Sequence, residues 1–130
     1  MWAGKEGVFQ SRASLRIYGG GLTPEEVTTA LKIQPTRTSV NNENLGMWTY
    51  STKDHVNNLL PLAAHLKHLI DLLSPNRDSL ILLQKNFSTD VLCYFASQSD
   101  TGGFDLPAAV LADLATLNLG LRTDEYFCCR

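Results

Sequence analysis

Long apolar runs are missing from this sequence. None of its hydrophobic stretches approaches the roughly 18 residues that a membrane-spanning helix requires. The segment Met1–Gly7 also lacks the apolar core of a signal peptide. We therefore expect a cytoplasmic protein that makes no contact with a membrane.

Charge of one sign is nowhere concentrated in the chain. Eleven lysines and arginines stand against thirteen aspartates and glutamates, which gives a formal net charge of −2, and no block of either sign occurs. A surface that follows the phosphates of a nucleic acid needs clustered positive charge. The composition therefore predicts that nucleic acid is not a partner.

Cysteine is scarce, with only Cys93, Cys128 and Cys129 in the chain. Secreted domains that are held together by disulfides normally carry a larger, even number, so the count agrees with a reducing compartment. Cys93 lies in an apolar run and is predicted to be a core residue. Adjacent cysteines rarely form a relaxed disulfide, so Cys128 and Cys129 are expected to be exposed thiols.

Motifs for catalysis and cofactor binding are also absent. The sequence has no GxSxG elbow, no P-loop and no GxGxxG fingerprint. His65, His68 and Asp71 recur at intervals of three, so successive side chains rotate by about 60° and cannot all face one metal ion. Gly19–Gly21 is interpreted as a turn between strand and helix. We predict a protein without catalytic residues, metal or cofactor.

The composition is that of one folded domain. The chain has 130 residues, of which 44% are hydrophobic and 18% are charged. A chain of this size fills one hydrophobic core, and this balance argues against disorder. We predict a single domain over residues 1–130, with an ordered core at about 8–128.

Local patterns predict five strands and three helices. Ala13, Leu15 and Ile17 alternate with polar residues, which is typical of a strand with one buried face. Thr23 and Glu26 have the spacing of a capping box around a helix that begins at Pro24. The predicted strands cover residues 9–18, 47–51, 80–83, 91–96 and 119–128, and the helices cover 24–32, 60–73 and 107–117.

The resulting order, β-α-β-α-β-β-α-β, predicts an α+β fold. We expect a ferredoxin-like sandwich in which a mostly antiparallel sheet carries the helices on one face, with one extra helix inserted midway. The strands at 80–83 and 91–96 are predicted to form a hairpin. An open sheet leaves free edges, so a homodimer formed through such an edge is one expectation.

A series of short motifs resembles a known family. The motifs are LRIYG at 15–19, LTPEEV at 22–27, LKIQPT at 31–36, Trp48 with Ser51, and LGL at 119–121 followed by Asp124 and Tyr126. The series resembles the bacterial family catalogued as domain of unknown function 4279, over about residues 15–126. The resemblance implies the fold boundaries and no particular activity, because none has been assigned to that family.

The best candidate for a binding surface follows the first helix. It comprises Thr36 and Arg37, the loop residues Asn41 and Asn42, and the aromatic residues Trp48 and Tyr50. Arginine and aromatic side chains dominate binding hot spots, and asparagine adapts to the polar groups of a partner. The alternative interpretation places Trp48 in the core beneath the first helix.

These observations favour a non-enzymatic module that binds another protein. Small acidic bacterial domains of this kind include toxin-neutralising immunity proteins, so a toxin is one candidate partner. The alternative is a domain that binds a small molecule or nucleotide in a cleft between the sheet and the helices, with an enzyme of unknown chemistry as a variant of it.

Overall fold

A computed structural model describes residues 9–97 and 103–127 of the chain. Cys128 and Cys129, which were predicted to be exposed thiols, lie outside the described residues. The described elements are β1 (Phe9–Gly20), α1 (Pro24–Leu31), β2 (Arg37–Val40), β3 (Leu45–Ser51), α2 (Leu62–Leu73), α3 (Arg77–Gln84), β4 (Ser88–Ser97), α4 (Ala108–Thr116) and β5 (Leu121–Phe127).

The five strands form one open sheet in the order β2-β3-β1-β4-β5. The central strand β1 pairs antiparallel with β3 and with β4, and β2 pairs antiparallel with β3. Only β5 runs parallel to its neighbour, β4. The outer strands are therefore β2 and β5, and pairing of a second copy along one of these edges stays a prediction.

The helices and one face of the sheet share a hydrophobic core. Along β1, the side chains of Ala13, Leu15 and Ile17 are fully buried, while the residues between them are partly exposed. This is the alternation that the sequence predicts for this strand. The helices supply the other layer of the core with Val27, Leu31, Leu62, Leu66, Leu69, Ile70, Leu73, Leu80, Leu83 and Leu114.

The helix start at Pro24 is confirmed. Glu26 Oε2 accepts hydrogen bonds from the backbone N–H of Thr23 at 3.0 Å and from its hydroxyl at 2.6 Å. These contacts hold the chain at the first turn of α1. Among the described helices, none combines the length and the apolar character that crossing a bilayer requires.

Two predicted segments are wrong. The apolar run Leu80–Leu83 belongs to α3 and not to a strand, so the predicted hairpin does not exist. Leu80 and Leu83 are buried, whereas Leu82 is 60% exposed, which is a helical pattern that so short a run does not reveal. Arg37–Val40, predicted as part of a loop, forms β2 and pairs with β3.

These corrections change the predicted topology. The observed order is β-α-β-β-α-α-β-α-β, and the sheet contains one parallel pair. The α+β class and a mostly antiparallel sheet are therefore confirmed, while the ferredoxin-like arrangement is not.

Candidate functional site

One face of the sheet is not covered by the α-helices. Arg12, Ser14, Arg16 and Tyr18 of β1 lie on this face, and each is partly exposed. Cross-strand partners share a face, so the register adds residues from the other strands. They include Arg37 from β2, Thr49 and Ser51 from β3, Asp90, Leu92 and Tyr94 from β4, and Arg122, Asp124 and Tyr126 from β5. We call this set the open face.

A groove of about 460 Å³ runs across the open face. No α-helical residue lines it, and its walls come from all five strands and the short turn after β3. The lining residues are Arg12, Ser14, Thr36, Arg37, Thr49, Ser51, Lys53, Leu92, Tyr94, Asp124 and Tyr126. We call this cavity the groove.

One cation of the open face is paired with a carboxylate of the protein. Arg16 donates from Nε to Asp90 Oδ1 and from Nη2 to Asp90 Oδ2, both at 2.7 Å. The hydrogen bonds to Asp90 raise the pKa of Arg16 above its usual value. Such a two-point pair between guanidinium and carboxylate is the strong, oriented form of the ion pair. The charge of Arg16 is therefore balanced within the protein.

The cations that line the groove differ from Arg16 in their ion pairing. Arg12, Arg37 and Lys53 form no ion pair with any residue in the described ranges 9–97 and 103–127. The guanidinium carbon of Arg12 lies 4.0 Å from the centre of the Tyr94 ring, which orients it by a cation–π contact. Asp124 is the one carboxylate among the lining residues. The groove therefore holds more positive than negative charge.

A buried hydroxyl without a partner in the described ranges lies beside these cations. Thr49 lines the groove, is only 7% exposed, and has a hydroxyl with no hydrogen-bond partner among the described residues. In the register of the sheet it stands between Arg16 and Arg37. A buried polar group without a partner costs free energy, and a hydroxyl can either donate or accept the missing hydrogen bond.

The structure separates the predicted site residues into two groups. Thr36 and Arg37 line the groove, where the Thr36 hydroxyl also accepts a hydrogen bond from Ser51 N–H at 2.8 Å. Asn41 and Asn42 lie in the turn between β2 and β3. Asn41 Oδ1 accepts two backbone N–H groups of that turn, both at 2.9 Å, so its side chain shapes the turn.

Trp48 and Tyr50 are on the other face of β3, within the core. Trp48 is 0% exposed, and its Nε1 donates to the Thr28 hydroxyl at 3.1 Å. Tyr50 is 5% exposed, and its hydroxyl is 2.8 Å from His68 Nε2. The interpretation that places Trp48 beneath the first helix is therefore the observed one. Neither ring is available to a partner.

Several groove residues were not recognised from the sequence. Arg12 occurs in the alternating pattern of β1, so its position on the polar face of that strand was a usable signal. Tyr94, Asp124 and Tyr126 give no such signal, because they join the groove only through the pairing of β4 with β1 and β5.

The histidines lie behind the sheet rather than in the groove. His65 is fully buried, and its Nδ1 is 2.7 Å from the Thr52 hydroxyl, which also accepts the Ala13 N–H at 3.0 Å. Burial lowers the pKa of His65 below its usual value near 6.5. Burial and the nearby His55 likewise lower the pKa of His68. Both histidines are therefore neutral in the fold at neutral pH.

We expect the domain to lose stability as the pH falls below about 6.5. The pKa values of His65 and His68 are lower in the folded state than in the unfolded state, so below this pH the unfolded state binds more protons. Above about pH 7.5 these groups leave stability unchanged. Urea unfolding across this range measures the effect. A His65→Asn variant, which retains an acceptor for Thr52 but cannot be charged, should show a weaker pH dependence; an equal dependence would contradict the assignment.

Comparisons with known proteins agree with the motif series. The family model described as "Domain of unknown function (DUF4279)" matches residues 9–128, which include every described strand and helix. The family resemblance predicted from the motifs is thereby confirmed. No curated protein and no solved structure is significantly similar to the chain. The chemistry of the groove is therefore the basis from which a function can be inferred.

Proposed function

We propose that this chain, which belongs to the DUF4279 family, is a non-enzymatic module that binds a partner protein on its open face. The main support for this proposal is the set of groove cations that are unpaired among the described residues. Arg12, Arg37 and Lys53 line one groove without carboxylate partners, beside the rings of Tyr94 and Tyr126. Arginine and tyrosine are the side chains most enriched in binding hot spots.

The placement of these side chains on strands supports a binding role. Arg12 lies on the central strand, and the contact of its guanidinium with Tyr94 limits its freedom before any partner arrives. Tyr94 and Tyr126 contact each other with ring centres 5.4 Å apart. Groups held in place beforehand lose less conformational entropy on binding. A partner would therefore meet a largely preformed surface.

The chemistry of the groove supports binding rather than catalysis. Its lining residues include hydroxyl groups but no histidine and no cysteine, so neither a serine–histidine nor a cysteine–histidine pair is present among them. Cys93 is buried in the core, where burial raises the pKa of its thiol to about 12. A thiol with that pKa stays protonated at neutral pH and is a poor nucleophile.

The cellular setting that we propose follows from composition. Scarce cysteine supports a cytoplasmic role. A small acidic domain with a preformed binding face suits neutralisation of a toxin, so an immunity protein is the role that we propose within the binding class.

Removing two groove cations should abolish capture of the partner. We expect the tagged domain to retain a partner from lysate of its source organism, and the Arg12→Ala/Arg37→Ala variant to lose it. Neither side chain forms an ion pair with a described residue, so the variant should remain folded. Mass spectrometry of the retained proteins provides the measurement.

The matched control is Lys67→Ala/Lys85→Ala, which removes the same charge from α2 and from the residue after α3. Lys67 is exposed and paired only with Asp71, and such surface pairs contribute little stability. This variant should retain the partner. Equal capture by the wild-type domain and both variants would refute the open face as the binding surface.

A small anionic molecule or nucleotide is the second candidate ligand. The groove volume of about 460 Å³ lies within the range of roughly 300–1,000 Å³ that is usual for small-molecule sites. A ligand that binds only the folded state raises the thermal midpoint. A metabolite that stabilises the wild-type domain but not Arg12→Ala/Arg37→Ala would favour this candidate over a protein partner.

A further inference from the structure

We infer that the segment entering the groove is acidic, with an aspartate or glutamate carboxylate bound among Arg12, Arg37 and Lys53. This inference rests on the proposed function and names the chemistry of the partner. The inference is based on the hydrogen-bonding groups along the groove. Three of them are cationic donors that have no anionic acceptor in the described part of the chain, and a carboxylate would supply that acceptor.

Cationic hydrogen-bond donors outnumber anionic acceptors among the residues that line the groove. The three cations can donate but cannot accept, and Asp124 is the one lining side chain that can only accept when ionised. An arginine donates through a planar fork that matches a carboxylate at two points. A ligand rich in acceptors therefore complements the groove, whereas a basic or purely apolar segment does not.

The hydroxyl of Thr49 is compatible with this class of ligand, because a hydroxyl can donate as well as accept. It is buried, it has no partner among the described residues, and its residue lines the groove. A hydroxyl can donate to a carboxylate oxygen, which has several acceptor positions. Thr49 lies directly opposite Arg37 in the sheet, so one carboxylate near Arg37 would be close to both.

The open face already contains an example of this recognition. On the other side of Thr49, Arg16 binds the carboxylate of Asp90 at two points, each at 2.7 Å. The protein supplies a carboxylate for Arg16 and supplies none for Arg12 or Arg37 from its described residues. We infer that the partner supplies the missing carboxylate.

The charges in the groove favour an acidic peptide over a nucleic acid. A nucleic acid backbone presents a continuous series of phosphates and needs a track of cations. Here the carboxylate of Asp124 lies among the lining residues, and the whole chain carries a net charge of −2. A segment with discrete carboxylates can satisfy the cations without placing negative charge beside Asp124.

Selection from a random peptide library displayed on phage tests the inference. The wild-type domain is the bait, and Arg12→Ala/Arg37→Ala removes peptides that bind elsewhere. We expect the retained peptides to be enriched in aspartate and glutamate over the unselected library. Retention of no peptide, or of peptides without acidic enrichment, would overturn the inference.

A synthetic peptide of the selected consensus then gives the affinity. Fluorescence polarisation should show a loss of about tenfold or more with Arg12→Ala/Arg37→Ala, or when the acidic residues are replaced by their amides, and no loss with Lys67→Ala/Lys85→Ala. A labelled oligothymidylate at the same ionic strength serves as the nucleic acid probe. Binding of this probe at least as tight as that of the peptide would overturn the inference in favour of single-stranded nucleic acid.

The two proposals can fail separately. A cellular partner lost with Arg12→Ala/Arg37→Ala, together with selected peptides that are not acidic, would retain the binding module and refute the acidic segment. Acidic peptides that need the groove, together with a cellular partner that does not, would establish the groove chemistry and refute the proposed function.

Discussion

Gly46→Ala is expected to destabilise the domain by about 3 kcal/mol, the upper part of the range for overpacked sites. Gly46 is buried in β3, and a Cβ atom there would overlap the carbonyl oxygen of Leu22 and crowd the Leu22 side chain. A backbone oxygen cannot move aside by changing a rotamer. Leu22 is itself fully buried, so the whole segment would have to shift.

The segment that would have to shift is held on both sides. The Gly21 N–H donates to Asn44 O at 2.8 Å, and Gly46 pairs with Gly19 in the register of β1 and β3. Urea unfolding measures the loss. Gly120→Ala is the matched control, because nothing lies within 4 Å of a Cβ atom at that position and little change is expected. A Gly46→Ala domain as stable as wild type would contradict the close approach of these backbones.

Trp48→Ala is expected to cost about 3–5 kcal/mol, the range for removing a large aromatic side chain from a core. Trp48 is the largest of the fully buried side chains, and its ring donates to Thr28 in α1. Its loss would leave a cavity between β3 and α1 and would remove the hydrogen bond that the Thr28 hydroxyl accepts, while that hydroxyl keeps its bond to Pro24 O. Total stabilities of small domains are about 5–15 kcal/mol, so the variant would be largely or partly unfolded.

Trp48→Phe separates the apolar contact of the Trp48 ring from its hydrogen bond to Thr28. The phenyl ring retains most of the apolar contact but cannot donate to Thr28, so an intermediate loss is expected. Thermal or urea unfolding of the two variants provides the comparison. A Trp48→Ala domain within about 1 kcal/mol of wild type would contradict the core position, because surface substitutions have effects of that size. For the same reason, Trp48 variants are unsuitable for testing partner binding.

The central strand and the first helix could be predicted because their signals are local. The alternation around Ala13, Leu15 and Ile17 identifies both the buried face of β1 and the exposed positions between them. The capping contacts of Thr23 and Glu26 act over three residues. Each signal depends on near neighbours in the chain, and both are confirmed.

The errors occurred where local patterns are weak. Arg37–Val40 forms an outer strand whose residues are all exposed, so no alternation marks it. The run Leu80–Leu83 is too short to separate helix from strand by its periodicity. Helix α3 is defined by packing against elements distant in the sequence, such as α1, whereas β2 is defined by its backbone pairing with the next strand, β3.

Only some of the groove residues could be predicted from the sequence, for a related reason. Thr36 and Arg37 were selected as binding residues and do line it. Arg12, Tyr94 and Asp124 join them only because β1, β4 and β5 are neighbours in the sheet. Trp48 and Tyr50 were chosen for their residue type, but the register of β3 places both on the helix-covered face.

The central claim is that the open face, and not the helix layer, is the binding surface. Titration of the ¹⁵N-labelled domain with its captured partner tests this claim most directly. We expect the largest amide shift changes in β1, β3 and β4 around Arg12, Thr49 and Tyr94, with little change in α2 and α3. Changes confined to the helices, with the groove strands unaffected, would contradict the account.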